Sequence, residues 1–175
     1  MATATSAGDK FDQILGFGVT MSAANTLTFS RIAVGVTVFD YAAFIISRIE
    51  YFFGRASMTE IVGNADILTL AITGSDSVTD ITDVTNPSVY DTYSTGVASD
   101  AAPTAKSKWD LPIAHDFSNM AGGGLIVPCQ DIFLGMQTAG FAGAGAGTAR
   151  VYYRVMKLAA ADYLELAQRL RVLTT

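Results

Sequence analysis

The run GFAGAGAGTARVYYRVMKL (residues 140–158) places Gly140, Gly143, Gly145 and Gly147 within eight residues, then alternates Val151, Tyr153 and Val155 against Arg150, Tyr152 and Arg154. Glycines this dense occur where a backbone cradles a phosphate. Such a site needs a strand, the glycine loop and then a helix whose N-terminus faces the anion. Here the loop leads into period-two alternation of β-branched and aromatic residues, which signals a strand. The spacing also lacks both the dinucleotide fingerprint and a terminal Gly-Lys-Ser/Thr. The run therefore reads as a corner of a β protein, whose glycines tolerate positive φ and close backbone approach.

Upstream, the same period recurs. Residues 26–40 put Ile32, Val34, Val36 and Val38 on one face, and FIISRIEYFFG sets Ile45, Ile49, Tyr51 and Phe53 opposite Arg48 and Glu50. In ADILTLAITGSD, Leu68, Leu70 and Ile72 alternate with Thr69, Ala71 and Thr73 before a Gly-Ser-Asp stop, a third strand. Val78, Ile81 and Val84 are spaced by threes, which predicts a helical turn within a long loop that Pro87 would end. Residues 99–107 read as exposed loop, and KWDLPIAHDF as a short strand that Pro112 confines to an edge or a bulge. Leu125–Val127 and Ile132–Met136 are two short apolar runs separated by Pro128. Near the C-terminus, Tyr163, Leu166, Ala167 and Leu170 recur at helical spacing, with acids early and arginines late, which suits the helix dipole. Many short strands with long connections and one short helix predict an all-β sandwich.

The chain has 175 residues, half of them hydrophobic and 15% charged, against a usual charged share of about a quarter. That length suits one well-cored domain, read as residues 13–175 with a long loop insertion at about 75–107, behind a flexible tail of small residues at 1–12. Surplus apolar surface predicts contact with other subunits. Arg31, Asp40, Arg48 and Glu50 interrupt the longest apolar stretch, so it does not read as a spanning helix, which needs roughly 20 apolar residues in a row. Residues 1–10 lack the basic start and apolar stretch of a secretory signal. The net charge of −5, with no run of Lys or Arg, argues against direct nucleic-acid binding, which draws most of its non-specific affinity from basic side chains.

Candidate chemistry is sparse. Cys129 is the one cysteine, so neither an intrachain disulfide nor a cysteine zinc site is expected, and a buried structural thiol is the reading. His115 is the one histidine. A relay through Asp116 and Ser118 fails because adjacent side chains on an extended segment point to opposite faces, so an edge or loop histidine is expected. Asp76, Asp80 and Asp83 bring oxygens together as calcium would need, but not at the alternate positions of an EF-hand loop; a solvated acidic loop is the preferred reading. Tyr90, Tyr93 and Trp109 are candidates for an exposed contact surface. No catalytic, metal or cofactor-binding residue is assigned.

Three stretches together resemble the small capsid proteins of tailless icosahedral viruses, the single jelly-roll type found in bacterial, archaeal and environmental viral sequences. They are TFSRIAVGVTVFDYAAFIISRIEYFF, GGGLIVPCQDIFLGMQTAG and RVYYRVMKLAAADYLELAQRL. The resemblance implies a single jelly-roll β-sandwich of about eight strands in two antiparallel sheets. It further implies a virion location and copies assembling into a shell through trimers, pentamers or hexamers, with companion capsid or penton proteins and an underlying membrane as further partners. The missing basic arm departs from many small viral shells, so genome contact is assigned to another protein or to a membrane layer. A rival reading is a carbohydrate-binding or cell-surface lattice jelly roll using Tyr90, Tyr93 and Trp109. A cupin-type metal enzyme is third, since such sites draw on several histidines. On the shell reading, bulky residues at Gly143 or Gly145 are expected to disturb assembly more than folding.

Overall fold

The computed structural model describes residues 13–32, 41–54, 57–58, 61, 66–96, 113–128 and 131–172, with side chains as far as residue 168. Among these residues nine strands form: β1 (Gln13–Thr20), β2 (Leu27–Ile32), β3 (Ala42–Phe53), β4 (Ile67–Thr73), β5 (Val89–Gly96), β6 (Ile113–Asp116), β7 (Leu125–Pro128), β8 (Ile132–Ala139) and β9 (Ala146–Lys157). Helix α1 (Ala160–Val172) follows. Every pairing is antiparallel. One sheet runs β1-β9-β3-β6, with β7 beside β3 as well, and the other runs β2-β8-β4-β5. β6 pairs with β3 at Arg48 to Tyr51 and β7 at Ala43 to Ile46, so the two form one broken strand along a single edge. The chain crosses between sheets at almost every connection. That nesting, with eight strand positions in two four-position sheets, is a jelly-roll sandwich.

The alternation read from sequence places the core. Leu68, Leu70 and Ile72 of β4 are fully buried and cluster with Phe44, Ile46, Ile49 and Tyr51 of β3 and Val151 of β9. Each such side chain contributes about 1.5–3 kcal/mol through its removal from water. β6 lies at a sheet edge, as Pro112 predicted, and Pro128, which has no N–H to donate, closes the edge strand β7.

β3 departs from the reading in one respect. Its register against β9 slips between Ile46 and Arg48, so Ser47 forms a β-bulge and side-chain parity changes there. Ala42, Phe44 and Ile46 face the core before the bulge, and Ile49 and Tyr51 after it. Ile45 therefore does not share a face with Ile49, although it too is buried. Ser47 is held by its hydroxyl, which donates to the Tyr152 carbonyl at 3.2 Å, and by its carbonyl, which accepts from Phe117 N at 2.8 Å.

The segment from 75 onward holds more structure than expected. Strand β5 runs through it, and residues 74–88 form turns that fold over the outer face of the second sheet rather than a helical turn. Val78 and Ile81 are buried there with Ala71 and Val89, against Leu27 and Phe29, whereas Val84 is 73% exposed. Gly135 of β8 makes room for this layer, since a Cβ there would lie 2.8 Å from Phe29 and 3.2 Å from Ile81. β1 escaped the sequence reading because Gly16 and Gly18 occupy positions where a strand ordinarily shows side chains. β2 ends at Ile32, and Val34, Val36 and Val38 lie outside the described residues. Helix α1 rests on β7, with Asp162 in its first turn and Tyr163 buried edge-on to Tyr41, ring centroids 5.8 Å apart.

Candidate functional site

The glycine-rich connection joins β8 to β9 and is tied to two neighbouring segments, residues 21–25 and 54–57. Asn25, at φ 55, accepts from Phe141 N at 2.9 Å and donates to the Phe141 carbonyl at 3.0 Å, while its own N–H donates to Thr138 Oγ1. The Ser57 hydroxyl accepts from Ala146 N at 2.7 Å and donates to the Ala146 carbonyl at 2.9 Å. Gly54 N and Met21 N donate to the carbonyls of Ala146 and Gly145. Only Gly140 of the four glycines has positive φ, at +77.

Gly145 and Gly147 are required for close approach instead. A Cβ at Gly145 would lie 2.6 Å from Met136 Cε, and one at Gly147 would lie 2.8 Å and 2.9 Å from the two methyls of Leu70. The connection is thus an anchored corner that feeds a strand, with no helix to receive a phosphate. A bulky residue at Gly145 meets Met136 Cε, Ser57 and Met21 inside the subunit, so an effect on folding is expected there beside any on assembly.

The described residues bring together a cluster that sequence proximity did not suggest. Tyr51 of β3 donates its hydroxyl to Asp91 Oδ2 at 2.8 Å, and His115 Nδ1 lies 2.8 Å and 3.0 Å from the two Asp91 oxygens. Asp91 is on β5, the edge of one sheet, and His115 on β6, the edge of the other, so the cluster latches one open side of the sandwich. Tyr93 stacks on Tyr51 and Phe53 at 6.2 Å and 5.5 Å and meets the His115 ring edge-on at 6.1 Å.

Burial raises the Asp91 carboxyl above its ordinary range, against the lowering pull of the Tyr51 and His115 bonds. Burial, reinforced by the Asp91 charge and hydrogen bond, pushes the Tyr51 hydroxyl well above its ordinary value. Tyr51 Oη and His115 Nδ1 thus both converge on the Asp91 carboxylate. Asp116 and Ser118 are not part of the cluster, since Asp116 Oδ1 accepts from Ser118 N at 2.8 Å.

Tyr93 and Tyr90 are half-buried, packing in part against the core cluster. Trp109 and Cys129 lie outside the described residues. Asp80 and Asp83 each close a turn, accepting from the hydroxyl and amide of Thr82 and Thr85 respectively at 2.6–2.9 Å, and these bonds hold both carboxyls below their ordinary range. Among the described residues no group of three or more His, Cys, Asp or Glu side chains is placed to hold a metal ion.

The outer face of the first sheet is polar and paired. Arg48 meets Glu50 at 2.6 Å and lies over the Tyr152 ring, and Tyr152 donates to Glu50 at 3.1 Å. Beside them Gly16, Phe52, Thr148 and Arg150 line an open trough of about 290 Å³, with the Arg150 guanidinium 5.1 Å above the Phe52 ring.

No protein-family model matches the chain, and no curated protein matches it. Among solved structures, that of the infectious bursal disease virus Gx strain is 14% identical over 86% of this chain, with a TM-score of 0.23. The VP2 subviral particle of infectious bursal disease virus is 15% identical over 85%, with a TM-score of 0.22. The chain spans 38% of the length of each of these proteins. The fold assignment rests on strand order and register, independently of these likenesses.

Proposed function

We propose that the protein is a structural shell subunit, a capsid protein of single jelly-roll form that works by self-association. The observation that carries this reading is the packed interior. The gap between the sheets lined by Leu15, Phe17, Phe44 and Ile132 measures about 10 Å³ and is wholly apolar, little more than the room one water molecule needs. Ligand sites on such sandwiches ordinarily occupy hundreds of Å³ with a few convergent polar groups. The surface carries large apolar side chains at Ile14, Ile67, Val84, Met120 and Leu164, which a partner copy would cover.

The shell reading extends to a virion location and to copies of the chain as the principal partner. Sedimentation velocity over a wide concentration range tests it. Trimers, pentamers or larger closed species growing with concentration are expected, and a monomer that persists at the highest concentration contradicts the proposal. The lattice or carbohydrate-binding alternative would use the half-buried Tyr90 and Tyr93, and a glycan array separates it from the shell reading, which expects no response.

A further inference from the structure

The two open sides of the sandwich are finished differently. On the side of β5 and β6, the Tyr51–Asp91–His115 cluster and the stacked Tyr93 close the gap between sheets. On the other side, β1 pairs with β9 along one edge, and among the described residues no strand pairs with its outer edge. Natural sheets blunt such edges with charge, proline, bulges or brevity, because an unpaired row of N–H and C=O groups is a template for another strand.

The other edges carry these devices. β6 has four residues, β7 ends in Pro128, the register of β5 slips opposite Thr73, and β2 carries Arg31 paired with Asp131 at 2.6 Å. β1 has none of them. Its eight residues, QILGFGVT, hold no charge and no proline, and its register with β9 runs unbroken from Gln13↔Tyr153 to Thr20↔Ala146. Behind it, half-buried Leu15 and Phe17 lead into the apolar gap.

We propose that β1 is a docking edge occupied by β1 of a second copy of this chain, the two strands running antiparallel about a two-fold axis so that the sheet continues from one subunit into the next. An antiparallel pair of identical strands satisfies the backbone groups of both, and a two-fold contact requires a self-complementary patch. Charge favours this occupant. The chain carries a net charge of −5, so two copies repel, and an uncharged edge is where they meet with least cost. Leu15 and Phe17 alternate on the inward face, so each copy would cover the other's apolar side chains. The proposal rests on the shell reading in that it names one of the contacts through which copies associate.

Hydrogen exchange of the purified protein, dilute and concentrated, tests it together with Gly16→Lys. A Cβ at Gly16 has only Arg150 Cγ within reach, at 4.0 Å, so there is room for a side chain. Lys there stands opposite Arg150 in the β1–β9 register, a like-charge pair that weakens the subunit somewhat, so circular dichroism and the urea midpoint of the dilute monomer verify that the fold persists. Expected are at least roughly tenfold slower exchange of β1 amides in the associated form and at least a roughly tenfold weaker dimer for Gly16→Lys, because like charges would face each other across the new strand pair. Association with β1 exchanging as fast as in the monomer, or with Gly16→Lys leaving the dimer Kd unchanged, overturns the edge contact and leaves the shell reading standing. A β1-protected dimer that never grows further supports the edge contact and counts against the shell. A persistent monomer overturns both.

Discussion

Leu70 lies so close to Gly147 that a single added carbon would stand 2.8 Å from one of its methyls, and this contact fixes where β9 crosses β4. Gly147→Val is therefore expected to lower stability by about 1–3 kcal/mol through overpacking, read as a lower urea midpoint with an unchanged slope. Gly16→Ala, whose added carbon meets only Arg150 Cγ at an ordinary contact distance of 4.0 Å, is expected to stay within about 0.5 kcal/mol of the parent protein. Tyr51 makes a second residue-scale prediction, in alkali. Its folded-state pKa is raised above the unfolded value, so its contribution is fully present below about pH 10, where a free tyrosine titrates, and is lost as pH rises toward the folded value. Chemical denaturation from pH 9 to 11 should show stability falling above about pH 10 in the parent protein, with a shallower fall in Tyr51→Phe. Equal slopes in the two proteins would sink this assignment.

At the scale of elements, the turns at 74–88 are a third layer rather than a free loop. Ile81 is fully buried under them, while Val84 is exposed. Ile81→Ala is expected to cost about 2–5 kcal/mol and Val84→Asp less than about 0.5 kcal/mol, both measurable by thermal or urea unfolding. Legibility in the sequence divides along the same elements. β4 and β9 were readable because alternation there is unbroken, and the edge position of β6 because proline precedes it. β3 was readable as a strand but not in its facing, since the Ser47 bulge is set by partners on other segments. β1 was invisible because its glycines give no alternation, and β5 because its polar residues read as loop. The Tyr51–Asp91–His115 cluster could not be read locally, as its members stand 24 and 40 positions apart in the chain; one signal was present, an acid flanked by tyrosines at Tyr90 and Tyr93 in a segment without lysine or arginine.

At the scale of the whole molecule, the jelly roll leaves one side latched by polar and aromatic groups and one sheet face covered by the chain's own turns, and among the described residues no strand pairs with the outer edge of β1. The apolar gap between the sheets beside Leu15 and Phe17 holds only about 10 Å³, and large apolar side chains stand on the surface at Ile14, Ile67 and Leu164. The shell reading implies that β1 and the apolar side chains standing on the surface are covered in the functional form. Electron microscopy of the purified protein at high concentration tests that claim most directly. Closed particles of uniform diameter are expected; a field of single small subunits, with no particles or regular oligomers at any concentration or ionic strength, rules the shell subunit out.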